Sequence, residues 1–333
     1  MLYPLKLNAA FKDYLWGGTR LRDEFNKQTD IDPVAESWEL SCHHDGQSII
    51  SNGEFSGKTL AQYIETVGKQ VIGTKAPKDK DFPILIKFID AKQSLSVQVH
   101  PDDKYALLHE GESGKTEMWY VMDATPDATL IYGFTHEISH QEFERRIKDN
   151  TLLEVCNQVP IKKGDVFFIE AGTLHAIGAG ALIAEIQQSS NSTYRVYDYG
   201  RVGKDGKLRE LHIEKALAVT KLEPPTRKPE PIAKLTAFAD YDLTILAQCE
   251  LFNVSHFDLH GNCWLDAKKD RFHSIVVLDG QIALTYGNDS FTITKGESVF
   301  IPADMGEYIL NGTGEFILTT LWLQYNKNKR QVN

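Results

Sequence analysis

Short runs of β-branched and aromatic residues, cut apart by Gly, Asp and Asn, recur along this chain and leave room for little but a β-rich fold. Residues 83–90 (PILIKFID), 94–100, 117–122 (EMWYVM), 165–169 (DVFFI) and 182–187 are such runs. After residue 235 the pattern returns as LTILAQ, FNVSHFDL, HSIVVLDG, QIALTY, SFTIT, SVFIP and FILTTLWL. This density of short strands predicts sandwiches or barrels, with helices at the periphery. Residues 59–72 put Leu60, Ile64, Val67 and Val71 on one helical stripe, with Gly73 as a stop. Ser139 and Glu142 form a capping-box pattern that opens a second helix reaching about Lys148, and 208–220 is a third candidate.

At 333 residues the chain is long for one hydrophobic core, so two domains are expected. The best linker is EPPTRKPEP, which carries Pro224, Pro225, Pro229 and Pro231 and places the boundary near residue 232. The two halves resemble each other: KGDVFFIEAG from Lys163 aligns without gaps on KGESVFIPAD from Lys295, and EMWYVMD from Glu117 aligns on HSIVVLD from His273. Between its two strings the first copy is longer, which reads as an insertion at the helical segment 135–158. Two related β-domains, 1–232 and 233–333, are the economical reading.

Lysine and arginine total 36 against 46 aspartate and glutamate, a net charge of −10. That balance argues against nucleic acid as a partner, because the phosphate backbone selects a basic face. A small phosphorylated ligand needs only a few local cations and is not excluded. The cysteines (Cys42, Cys156, Cys249, Cys263) are scattered without a CxxC pair and read as reduced thiols. The start shows no signal-peptide pattern and no apolar run approaches a membrane span, so a cytoplasmic protein without a membrane partner is expected.

The most informative stretch is SLSVQVHPDD, from Ser94. Its alternation sends Leu95, Val97 and Val99 to one face of a strand and Ser96, Gln98 and His100 to the other. Glu117 and His175 follow, so two imidazoles, a carboxylate and an amide oxygen compose a coordination sphere for a divalent metal with one position open. Gln98 has a plainer reading as a hydrogen-bonding residue inside a barrel. His43, His44, His109, His136, His140, His212, His256 and His260 are read as ordinary surface or core histidines. His100 and His175 stand apart because each lies within a longer string.

The order Gln-x-His, then Glu, then Gly164, Gly172 and His175 resembles the two-part cupin signature, with Glu170 and Ala179 departing from it. The second half has His273 where the first has Glu117, and Glu307 where the first has His175. Within cupins the chain closely resembles the type I mannose-6-phosphate isomerases, the short bacterial form in particular. The resemblance runs nearly end to end and rests on LWGG (15–18), ESWE (36–39), QVHPD (98–102), KTE (115–117), GTLH (172–175) and YRVYDYGR (194–201). It implies two cupin jelly-roll domains: a catalytic one at 1–232 with helical insertions, and a degenerate one at 233–333 without metal. It implies one Zn2+ per chain on Gln98, His100, Glu117 and His175, and active-site roles for Arg195, Glu185 and Lys115. Asn191 stands where long forms usually have aspartate, so that aspartate's role is not carried over.

The reaction so implied is reversible isomerisation of mannose 6-phosphate and fructose 6-phosphate through a cis-enediol. It needs a base, an oxyanion stabiliser and a phosphate grip. Zinc and Arg195 suit the oxyanion, Glu185 suits proton transfer with its pKa raised by enclosure, and Lys115 suits either assistance at a hydroxyl or a part in the base system, so the residue that takes the C2 proton stays open. The plainer reading of Glu185 is a buried partner of Lys115 or Arg195, and that of Arg195 is a surface salt bridge. For the substrate, Trp16 and Trp38 are candidate pocket walls and Arg201 a candidate phosphate cation, with Lys204, Arg20 and Arg22 also near the quoted strings. The rival functions are an oxygenase-type metal cupin and a non-catalytic sugar-binding cupin. A monomer or a homodimer is compatible with every one of these readings.

Overall fold

The computed structural model describes residues 2–77, 82–203 and 206–321. Lys204 and the last residues of FILTTLWL lie outside them. The fold is mainly β, in sheets of ten, six and five strands, with short helices at the periphery. No described helix is long and apolar enough to cross a membrane.

The chain divides into two compact units, and both are discontinuous. One comprises the described parts of 9–48 and 84–230, the other those of 1–8, 49–83 and 231–333. The last crossing, at 230/231, falls in the Pro-rich segment. Residues 1–8 and 49–83, which the sequence reading gave to the first domain, sit in the second unit for a hydrogen-bonding reason. Leu5–Asn8 pairs antiparallel with Ser298–Ile301, and Ile49–Ile50 pairs with Leu5–Asn8. An unpaired strand edge leaves backbone groups unsatisfied, and these long-range pairings satisfy them.

In the first unit the six-stranded sheet runs, in spatial order, Val166–Ile169, Glu117–Ala124, Ala181–Gln188, Ile84–Ala91, Glu36–Leu40, Ala10–Lys12. The five-stranded sheet runs Tyr194–Tyr197, Val97–Val99, His175–Ile177, Thr129–Phe134, Cys156–Pro160. One core cluster, including Ile89, Trp119, Phe167, Ile183, Leu130, Tyr132 and Ile177, draws on both sheets, which identifies their inner faces. The outer face of the five-stranded sheet is covered by helices: Val97 and Val99 pack with Phe143 and Ile147 of His140–Lys148 and Ala216 of Ile213–Val219. The alternation of the 94–100 run holds at Val97 and Val99, which lie under helices, whereas Leu95, expected on the same face, packs in the inner core cluster because the strand begins only at Val97.

The helix expected over 59–72 is α-helical only at Leu60–Val67, since Gly68, at φ 109°, breaks it before a 3-10 turn at Lys69–Ile72. Of 208–220 only Ile213–Val219 is helical. Leu208 is bridged to Val202 instead, and His212 N donates to Arg195 O. Asp103–His109 is a helix that sequence periodicity did not indicate, capped by the Asp102 carboxylate.

The second unit holds the ten-stranded sheet around an apolar interior that includes Phe257, Ile275, Val277, Tyr308 and Phe316. His273 is buried there with Nδ1 2.8 Å from the Tyr308 hydroxyl, whereas Glu307 is exposed.

Candidate active site

Cross-strand register brings the polar residues of the inner faces into rows. On the six-stranded sheet Trp119, Glu185, Lys87 and Trp38 are direct neighbours across four strands, and Glu117 lies opposite Gln187 in the adjoining row. On the five-stranded sheet Gln98 lies between His175 and Arg195. Side chains directly opposite one another share a face, so backbone pairing alone delivers this cluster. A backbone bond from Gly172 N to His100 O (2.8 Å) ties the turn before His175 to the end of the Gln98 strand. Gly172 has φ 88°, and a Cβ there would lie 2.8 Å from Val219 O, so both conformation and space select glycine.

His100, Glu117 and His175 are fully buried and converge. The two Nε2 atoms are 3.1 Å apart, and the Glu117 oxygens lie 3.4 Å from His175 Nε2 and 3.6 Å from His100 Nε2. Each Nδ1 faces a carbonyl, Ser192 O at 2.9 Å for His100 and Thr173 O at 2.8 Å for His175. A carbonyl only accepts, so both Nδ1 atoms carry the proton and both Nε2 atoms present lone pairs to each other. Burial holds the His175 pKa down to about 4 and, with Lys115 beside it, drives that of His100 well below the ordinary value, so neither ring is an imidazolium at neutral pH. Neither Glu117 oxygen has a well-aligned hydrogen-bond donor, although Lys115 Nζ is 2.9 Å from Oε2 and 3.0 Å from His100 Nε2. Burial and the neighbouring Glu185 push the Glu117 carboxyl up to about 7. Two facing lone pairs and an orphaned buried carboxylate are the donor set of a cation, and these residues fit a divalent metal.

A cavity of about 280 Å³ opens beside them, lined by Gln98, Lys115, Glu185 and Arg195, by Trp16, and by Tyr14, Glu36, Lys87, Ser96, Asn191, Thr193 and Arg209 among others. Glu185 is buried, with Oε2 accepting from the Trp119 indole at 2.8 Å and Oε1 lying 3.5 Å from Lys87 Nζ and 4.0 Å from Lys115 Nζ. Enclosure was expected to raise its pKa, and the net direction is the reverse. Burial pushes the carboxyl up, but Lys115, Lys87 and the indole N–H outweigh burial and leave it below the ordinary value.

Two candidate substrate residues are placed elsewhere. Trp38 is fully buried and is not among the lining residues; its indole donates to Glu36 Oε2 at 2.7 Å and its ring lies under Lys87 Nζ. Arg201 is also absent from the lining. It is bound by Asp198 and donates Nη1 to Ser94 O at 2.6 Å. Sequence reasoning missed Lys87, Glu36, Tyr14 and Arg209. For Lys87 a signal existed: it is the one cation within PILIKFID, and it is buried with its ammonium 3.5 Å from Glu36 Oε2.

Residues 4–128 match the family described as phosphomannose isomerase type I, catalytic domain, and residues 242–321 match the mannose-6-phosphate isomerase cupin domain. The chain is 38% identical over 319 residues to mannose-6-phosphate isomerase ManA of Bacillus subtilis, covering 96% of this chain and 99% of that one. It is 36% identical over 319 residues to mannose-6-phosphate isomerase of Streptococcus mutans, covering 95% and 98%. Among solved structures, mannose 6-phosphate isomerase from Bacillus subtilis superposes with a TM-score of 0.88 at 35% identity, covering 95% of this chain and 99% of that chain. The chain belongs to the type I phosphomannose isomerases, a family of aldose–ketose isomerases.

Proposed function

We propose that this chain interconverts mannose 6-phosphate and fructose 6-phosphate through a cis-enediol, with one zinc ion held by Gln98, His100, Glu117 and His175. The observation that carries this reading is the pair of facing Nε2 lone pairs beside the unsatisfied Glu117 carboxylate. Four disulfide-free cysteines suit a cytoplasmic setting.

When bound, zinc supplies Lewis-acid polarisation of a substrate oxygen without redox chemistry. Glu185 is set to move the proton. Its Oε2 is held by Trp119 while Oε1 lacks a hydrogen-bond partner, and its lowered pKa keeps it ionised, the form that accepts a proton. In the forward direction Glu185 Oε1 takes the proton from C2, the C–H electron pair becomes the C1=C2 bond, and the former carbonyl oxygen at C1 carries the negative charge. Arg195 would donate to that oxygen, a role supported by its half-buried position on the cavity wall and its unpartnered Nε. Transfer of the O2 proton to the C1 oxygen and return of the proton from Glu185 to C1, as the C2–O2 bond becomes the carbonyl, complete the ketose. Lys115 and Lys87 hold Glu185 in its ionised form and in position.

The test is a coupled assay for fructose 6-phosphate formed from mannose 6-phosphate, repeated after chelation and with Arg195→Ala. Loss of turnover in both is expected. Undiminished turnover after complete zinc removal would sink the mechanism.

A further inference from the structure

Arg209 gives the cavity a cation that the steps above leave unused. A hairpin sets it beside Arg201: Val202 bridges Leu208, and Arg209 N donates to Arg201 O at 3.4 Å. Both guanidiniums reach the same oxygen, Asp198 Oδ1, Arg201 from Nε at 3.1 Å and Arg209 from Nη1 at 3.3 Å. Beyond that shared contact they differ. Arg201 is further engaged by Ser94 O and lies over the Tyr199 ring, outside the lining of the cavity. Arg209 lines the cavity, and Asp198 is the one side-chain partner of its guanidinium among the described residues.

The other lining cations are committed. Lys115 pairs with Glu117, and Lys87 with Glu36 and Glu185. Arg195 donates Nη1 to Glu210 O, and its buried Nε has no partner. Arg201 and Arg209 are both close enough to Arg195 to repel it, with Asp198 and Glu210 also in range, so three guanidiniums gather here. A planar guanidinium with spare N–H groups is suited to bind phosphate bidentately.

We propose that Arg209 forms the subsite for the phosphoryl group of a sugar monophosphate, and that Arg201 is the strut that holds Asp198. The assignment rests on the functional reading above for the identity of the substrate.

The experiment measures KM for mannose 6-phosphate, inhibition by inorganic phosphate, and inorganic phosphate binding by calorimetry on the zinc-loaded protein, for the wild type and for Arg209→Met, Arg209→Lys and Arg201→Met. Arg209→Met should raise KM and weaken phosphate inhibition and binding by at least ~10-fold, the loss of one charge-assisted contact. Zinc content should be unchanged. Arg209→Lys keeps the charge without the fork and should fall between, which retains a test if the methionine variant does not fold. Wild-type KM and phosphate inhibition in Arg209→Met would overturn the subsite while leaving the isomerase reading intact, as would their loss in Arg201→Met alone. A wild type that binds inorganic phosphate through Arg209 yet does not turn over mannose 6-phosphate would support the subsite and remove the isomerase reading.

Discussion

Glu112 Oε2 accepts from the Ser192 hydroxyl at 3.1 Å, and through this contact a residue outside the cavity lining reaches the proposed metal centre. The same oxygen accepts from Ser190 Oγ at 3.2 Å and Asn191 N at 3.3 Å, so one carboxylate clamps three consecutive residues. The carbonyl of the third, Ser192, holds His100 Nδ1. Outer partners of this kind fix ligand tautomer and orientation, and their loss commonly weakens metal affinity ~10–100-fold. Glu112→Ala should weaken zinc binding by that order in a chelator competition, and Glu112→Gln, which keeps an acceptor, should recover much of it.

Removing the metal should also lower stability. Without the metal, the two facing lone pairs and the Glu117 carboxylate stay buried beside the Lys115 ammonium, and a ligand bound to the folded state at 1,000 times its Kd contributes about 4 kcal/mol. Chelation should lower the melting temperature of the wild type on the order of 10 °C. His175→Ala should melt at the same temperature with and without chelator.

Glu185→Gln separates proton transfer from architecture. Glutamine still offers an oxygen to the Trp119 indole but accepts no proton. Turnover should fall ~10²–10⁴-fold with zinc content unchanged. Lys87→Met should act on the fold as well as on turnover. It leaves Glu36 without its buried cation and Glu185 with Lys115 alone, and urea unfolding should show a loss of about 3–5 kcal/mol.

A pH dependence is expected at Glu110, which accepts from Lys215 Nζ at 2.6 Å and the Tyr194 hydroxyl at 2.7 Å. Lys215 first, and Tyr194 with it, hold the Glu110 carboxyl below the ordinary carboxylate value. A folded-state pKa below the unfolded one stabilises above the unfolded value and loses that contribution as pH falls through the folded value. The melting-temperature difference between wild type and Glu110→Gln should therefore favour the wild type at pH 7 and vanish as pH falls below the lowered carboxyl value. The site is partly exposed, so the difference corresponds to less than about 1 kcal/mol.

The strand carrying Gln98 was legible because the period-2 alternation of Val97, Gln98 and Val99 depends on nothing beyond its own residues. The same holds for the capped helix from His140, which begins where the Ser139 signal put it. Lys87 and Glu36 were missed because their significance lies in lateral register. A lysine in an apolar run says little until Glu185 and Trp38 are known to flank it. Arg209 lay further out of reach, since only the Val202–Leu208 bridge sets it beside Arg201. The direction of the Glu185 pKa shift was misjudged for a related reason: enclosure was visible in the sequence, but the second lysine that offsets it was not. The unit to which Leu5–Asn8 belongs depends on a partner strand nearly three hundred residues away, which no local pattern records.

The interleaving of the two units bears on the order in which the protein is made. Every residue of the candidate site lies between Ala9 and Glu230, within the unit whose sequence is finished first. Leu5–Asn8 and Ile49–Ile50 are made before this unit is finished, but the strand that Leu5–Asn8 pairs with, Ser298–Ile301, is made only after it. The reaction centre can thus close on the nascent chain while its own amino-terminal strand still waits. In that interval the edge of Leu5–Asn8 is open to wrong partners.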